Sequence, residues 1–191
     1  MTKQTTQNRK TALITGADSG FGYVMAELFA QSGQDLVLVA GSRRRVDGVA
    51  EEFTQRFGVN VTVLIKDLSR PRAGEEILSD LRNRALHTDI LVNYAGFNQY
   101  GPFYEINIAR EQQMFQSRIA ALISLTRGLL PGMLKRNDGK ILNIDSRASF
   151  DLAALIASYC ASRAQIHSLS KSLTEELEGT GVTVTMLSVS S

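Results

Sequence analysis

The chain has 191 residues, 43% of them hydrophobic and 21% charged, the balance of a globular protein of ordinary domain size. Its formal net charge of +2 is too small to argue for nucleic acid or a membrane surface as a partner. A single cysteine, Cys160, excludes an intramolecular disulfide, and His87 and His167 offer no recognisable metal-ligand spacing.

Met1–Lys10 is polar, lacks the apolar run of a secretory leader, and reads as a short N-terminal arm. No stretch approaches the roughly 18 consecutive apolar residues of a membrane span, and the expected setting is the reducing cytoplasm. From residue 11 onward, short apolar runs alternate with helical periodicity. The runs predict strands at Thr11–Thr15, Asp35–Ala40, Val59–Lys66, Asp89–Asn93, Lys140–Asp145 and Val182–Ser188. Helices are expected near Gly22–Ser32, Arg44–Phe57, Arg72–Arg84, Glu105–Leu130 and Leu152–Glu178. The strands are rich in Val, Ile and Leu and apolar on both faces, as strands covered on both sides should be. This repetition predicts one α/β domain over residues 11–191, a three-layer, doubly wound parallel sheet of six strands with helices on both faces.

Strand one ends in Thr15, and Gly16-Ala17-Asp18-Ser19-Gly20-Phe21-Gly22 leads into the first helix. Glycines permit a tight turn and let bare backbone N–H groups approach a phosphate, while the helix N-terminus adds positive partial charge. With the second strand following at Asp35, the segment completes a Rossmann-type βαβ unit. A glycine-rich turn that serves only close packing of helix on sheet is the plainer alternative.

Gly-x-x-x-Gly-x-Gly preceded by Thr resembles the short-chain dehydrogenase/reductase family. Asn93-Tyr94-Ala95-Gly96 resembles that family's Asn-Asn-Ala-Gly, and Asn143-Ile144-Asp145-Ser146 the segment carrying its catalytic serine. Thirteen positions after Ser146, Tyr159-Cys160-Ala161-Ser162-Arg163 resembles its Tyr-x-Ala-Ser-Lys. The resemblance implies a nicotinamide dinucleotide held by Gly16, Asp18, Ser19, Gly20, Phe21, Gly22, Leu68, Asn93, Ala95 and Gly96. It further implies that Asp67 accepts a hydrogen bond from the adenine amino group.

An acidic residue after strand two suits the free ribose of NAD, and a basic residue there suits the extra phosphate of NADP. Here Gly41-Ser42 runs into Arg43-Arg44-Arg45 with no acid. At a helix N-terminus three arginines are electrostatically misplaced unless a phosphate meets them. NADP is therefore expected ahead of NAD, with Ser42 and Arg43 at the phosphate; a solvated basic run is the alternative.

The resemblance assigns Ser146 to the substrate oxygen and Tyr159 to proton transfer between that oxygen and the enzyme while hydride passes to or from the nicotinamide. A phenol with an ordinary pKa of about 10 needs nearby positive charge to work near neutrality. Position 163 lies one helical turn on, yet holds Arg163 where the family has Lys. Arginine keeps the charge and can hold nicotinamide ribose hydroxyls, but it does not release a proton and cannot serve the family's relay. Arg118 stands in a segment where the family has an asparagine that supports the relay water. It shares a helix face with Met114 and Leu122 and should point inward, where burial demands a partner such as Asp145. Two inward guanidinium groups would favour reduction by NADPH. Family members usually continue beyond strand six with a substrate-covering segment, so the chain as it stands is expected to leave one pocket wall open. Tyr94, replacing the second Asn, is expected to crowd the cofactor, and His167, one turn after Arg163, reads as a packed or interface histidine.

The expected function is thus hydride transfer between NADPH and a small-molecule carbonyl or alcohol substrate, with weakened activity. A non-catalytic NADP-binding sensor or structural partner is the alternative, which Arg118 and Arg163 favour and the retained Ser146 and Tyr159 oppose. By the same resemblance, a homodimer or homotetramer through the two long helices is expected.

Overall fold

The computed structural model describes residues 9–94, 96–97, 99–147 and 155–190, with the side chains of Ser146, Arg147 and Ser190 outside the description. In chain order the elements are β1 Thr11–Thr15, α1 Gly20–Gln31, β2 Asp35–Ala40, α2 Val49–Phe57, β3 Val61–Ile65, α3 Ala73–Asn83 and β4 Ile90–Asn93. There follow α4 Ile108–Phe115, α5 Ala121–Arg136, β5 Gly139–Arg147, α6 Ala157–Glu176 and β6 Val182–Ser190. All six strands are parallel in one sheet of order β3-β2-β1-β4-β5-β6, a Rossmann-type α/β fold.

Strand alternation distributes the core between two faces. Ala12 and Ile14 of β1 and Leu36, Leu38 and Ala40 of β2 meet α1 and α2 through Ala26, Ala30, Val49 and Phe53. The intervening Leu13, Val37 and Val39 meet α3 and α5 through Ile77, Leu81, Leu125 and Met133. Over β1 and β2 neither face is left polar, which is why these strands read as unbroken apolar runs. α6 lies on the second face, where Ile166 packs with Ile119, Leu122 and Met186. On the first face β6 shows Thr183, Thr185 and Leu187 as exposed.

Two expected helices are each divided. The arginine run forms a short 3-10 turn, Arg43–Arg45, and α2 starts only at Val49, after Gly48 has turned left-handed at φ 83°. The first turn of α2 carries Glu51 and Glu52. The arginines therefore do not burden a helix N-terminus, and the macrodipole misfit expected from the sequence is absent. The expected helix Glu105–Leu130 resolves into a 3-10 turn at Phe103–Glu105, α4, a π-helical turn Gln116–Ala120, and α5, which runs past Pro131 to Arg136. The start of the last helix, expected at Leu152, lies outside the described residues up to 154; the described helix begins at Ala157.

Candidate functional site

The strand order reverses between β1 and β4, and in such sheets the crevice beyond the carboxyl ends at this point is where a ligand fits. A cleft of ≈ 410 Å³ opens there. Every strand but β6 contributes to its lining: Gly16, Asp18 and Ser19 after β1, Val39 and Gly41 from β2, Lys66 to Ser69 after β3, Tyr94, Gly96 and Phe97 after β4, and Ile144 of β5. Arg45 stands at one end, and Ser117 and Arg118 of the π-helical turn at the other.

The glycine turn is built by packing and capping together. Ser19 caps α1: its Oγ accepts from Gly22 N at 2.9 Å and donates to Gly16 O at 2.7 Å. Gly16 has φ 71°, and a Cβ on Gly22 would lie 2.1 Å from Gly16 O, so only glycine lets α1 close on the turn. At Gly20 a Cβ would meet nothing within 4 Å, and that open side belongs to the first residue of a 12-residue helix. Gly22 is thus a packing glycine, whereas Gly20 leaves backbone accessible to a ligand. Phe21 packs against Tyr94 with tilted rings whose centroids are 4.7 Å apart, and Tyr94 lines the cleft.

Beyond β2 and β3 the charges are sorted. Lys66 is bound to Glu76 at 3.1 Å and Asp80 at 3.2 Å, and the hydrogen bond it donates to Glu76 is the main cause holding its ammonium above the ordinary lysine range. Arg45 has no ion pair with any described residue. Arg43 and Ser42, expected at the phosphate, are not in the cleft lining; Gly41 and Arg45 are. Asp67 is exposed and lines the cleft, its Oδ1 accepting from Ser69 N at 3.0 Å and Ser69 Oγ at 2.7 Å. Leu68 is buried beside it.

At the opposite end the π-helical turn buries three consecutive residues, Ser117, Arg118 and Ile119, which a regular α-helix would spread over more than half its circumference. Arg118 is 9% exposed and does not snorkel to solvent. Its Nη2 donates to Asp145 Oδ1 at 2.8 Å and its Nε to Ser162 Oγ at 3.0 Å. Arg163 Nε donates to the other oxygen of Asp145, Oδ2, at 2.5 Å. Burial opposes the charge on Arg163, but the hydrogen bond and field of Asp145 outweigh it and hold the guanidinium above its ordinary range. Both guanidinium groups lie over the Tyr159 ring, Arg118 at 4.5 Å and Arg163 at 6.0 Å from its centroid. Tyr159 is 0% exposed and packs with Met114 and Ile156, and with Phe97 and Cys160 at the edge.

The structure therefore brings Arg118, Tyr159 and Arg163 together around Asp145. Of these only Arg118 is among the cleft-lining residues. The backbone of Ser146 adjoins Asp145 on β5, its side chain lying outside the described residues, as does Ala95. Asn93 is buried and ties strands together: its Nδ2 donates to Asn143 Oδ1 at 2.9 Å, and Asn143 Nδ2 donates to Ser170 Oγ at 2.8 Å. Gly96, at φ 133°, lies against Arg118, whose Cγ would be 2.4 Å from a Cβ there. His167 is exposed; the buried positions of α6 are Tyr159, Ser162, Ile166 and Ser170, together with Ser158 in its first turn. Sequence reasoning placed Ser42 and Arg43 at the phosphate out of the run Arg43-Arg44-Arg45, whereas Arg45 is the member that lines the cleft. It named Asp145 as partner to Arg118 only, although Arg163 lies close by.

Sequence and structure comparisons agree. The sequence pattern of the short chain dehydrogenase family matches residues 10–190. The NADP-dependent 3-hydroxy acid dehydrogenase of Shigella flexneri is 33% identical over 174 residues, 91% of this chain and 68% of that protein. A short-chain dehydrogenase from Sphingobium yanoikuyae, solved in complex with NADPH, superposes with a TM-score of 0.87 at 34% identity, covering 95% of this chain and 71% of that one. The bulky-bulky ketone specific alcohol dehydrogenase of Comamonas testosteroni superposes with a TM-score of 0.88 at 31% identity, covering 96% and 74%.

Proposed function

The chain belongs to the short-chain dehydrogenase family, and on that footing we propose that it is an NADP(H)-dependent oxidoreductase acting on a small-molecule carbonyl or alcohol. The observation that carries the reading is the cleft itself, which is lined by Gly16, Asp18 and Ser19 of the glycine turn, with an arginine without an acidic partner among the described residues at one end and guanidinium charge at the other. The donor set fits the dinucleotide. Backbone N–H groups at the start of α1 take the diphosphate. Arg45 takes the 2′-phosphate, a role its fork suits and for which Lys66, already matched by two carboxylates, is less available. Asp67 accepts from the adenine amino group.

The bound dihydronicotinamide supplies hydride. In the reducing direction Ser146 holds the substrate oxygen by a hydrogen bond and Tyr159 gives that oxygen its proton. The phenolate left behind is stabilised by the guanidinium groups of Arg118 and Arg163. Neither arginine passes a proton on, so Tyr159 is reprotonated from water. Turnover is accordingly slow, because the fully buried Tyr159 lies under Arg118 and must become accessible before it can act. That same burial favours a second reading, nucleotide binding without turnover. The reading carries with it a cytoplasmic setting and a homodimer or homotetramer through α5 and α6, with the exposed Ile123 and Leu134 of α5 available for contact.

The test is a survey of aldehydes and ketones for NADPH oxidation by the wild type and by an R118N/R163K double variant. Turnover that rises in the double variant supports the oxidoreductase. NADPH binding with no turnover in either protein supports the second reading.

A further inference from the structure

Hydride transfer needs positive charge near Tyr159, but it does not explain why a carboxylate is buried among those charges. The Asp145 side chain is 1% exposed, and each oxygen is committed to a different guanidinium. Among the described residues, the two cations and one anion of this cluster sum to a single positive charge, carried to the cleft surface by Arg118 beside Gly96, Phe97 and Ile144. Two further charged groups nearby among the described residues, Glu111 and Arg110, contribute one charge of each sign. Glu111 is bonded to Ser158, and Arg110 stacks over Phe97 at 5.6 Å.

We propose that Asp145 sets the redox-state preference of the nucleotide site: by cancelling one of two guanidinium charges, it keeps the nicotinamide end able to hold NADP+ as well as NADPH. The inference rests on the dinucleotide reading above. The two nucleotides share every phosphate and differ in the ring, which is cationic when oxidised and neutral when reduced. Only charges at that end of the cleft therefore discriminate between them. One further unit of positive charge roughly 10 Å from the ring, at an effective dielectric of about 20, disfavours the oxidised form about tenfold.

Calorimetric titration of NADPH and NADP+ into the wild type, D145N and R163Q decides the matter. D145N preserves shape while releasing both guanidinium charges, and the ratio of NADPH to NADP+ affinity should rise about tenfold. R163Q leaves Asp145 paired with Arg118 alone, and the ratio should fall by a similar factor. A purely structural role weakens both nucleotides together and leaves the ratio unmoved. An unmoved ratio, or ratios that move the same way in the two variants, overturns the proposal while leaving the oxidoreductase reading intact. A wild type that binds neither nucleotide overturns that reading and this inference with it. Should D145N fail to fold, R163Q decides alone: a lowered ratio supports the proposal, and an unchanged or raised one overturns it.

Discussion

Substituting alanine at Gly22 and at Gly20, two positions apart on one turn, separates packing from ligand access. At Gly22 the new methyl would lie 2.1 Å from Gly16 O and 2.8 Å from Gly16 C, backbone atoms that cannot swing aside. Overpacking of this kind costs about 1–3 kcal/mol, and rigid neighbours on both sides argue for the upper end, about 3 kcal/mol. Helix propensity returns up to about 1 kcal/mol for Gly→Ala. The net loss of about 2 kcal/mol corresponds to a melting temperature about 4–8 °C lower for a domain of this size. Gly20→Ala meets no atom within 4 Å, so its melting temperature should equal or exceed that of the wild type. Its methyl would nevertheless stand where a diphosphate must approach α1, and NADPH affinity should drop at least about tenfold, or 1.4 kcal/mol. Thermal melts without nucleotide and fluorescence titration with NADPH measure the two effects separately. A Gly22→Ala protein as stable as the wild type refutes the packing argument. Wild-type NADPH affinity in Gly20→Ala refutes placement of the diphosphate on this turn.

Arg45→Ala should weaken NADPH binding by about 1.5–3 kcal/mol, the worth of a charge-assisted hydrogen bond, while changing NADH affinity little. Arg43→Ala, outside the cleft lining, should leave both unchanged, and equal losses in the two variants would count against Arg45 as the phosphate ligand. Asp145→Ala strands two largely buried guanidinium groups and should cost about 3 kcal/mol in urea unfolding; a loss below about 1 kcal/mol would mean that solvent reaches the pair more freely than its burial implies. The Asp138 carboxyl is held below its ordinary range first by the hydrogen bond from Lys10. A depressed carboxylate pKa stabilises the fold above the unfolded value, and that contribution disappears as pH falls through the folded value. Lys10→Met should therefore cost at most about 1 kcal/mol at pH 7, since both side chains are nearly half exposed, and the difference should vanish well below about pH 4. A difference that persists in acid would point to packing by the Lys10 stem.

The sheet was legible because each strand is a short run rich in apolar residues between longer periodic stretches, with the central β1, β2 and β4 buried on both faces, and six such runs appear as six parallel strands. Helix interiors were legible and their breaks were not. Gly48 interrupts an otherwise acceptable periodicity by adopting φ 83°, a choice that local propensity leaves open. The expected end at Leu130 fell short, because α5 continues through Pro131 with Met133 anchored in the core and Asn137 capping the helix left-handed. The π-helical turn at Gln116–Ala120 has no signature in composition. It is sustained by what it buries, above all the bond from Arg118 to Asp145, whose need for a partner could be argued from charge alone. The phase of α6 was misjudged for a related reason. Steps of four carry the apolar stripe off its face after two turns, so Tyr159 is buried, Arg163 half-buried and His167 exposed.

The most direct measurement is titration of the purified chain with NADPH, followed by fluorescence and by melting temperature. The account predicts saturable one-to-one binding, with a stabilisation of about 2.7 kcal/mol when NADPH reaches about 100 times its dissociation constant. A well-folded sample that shows neither saturation nor a rise in melting temperature at millimolar NADPH would contradict it.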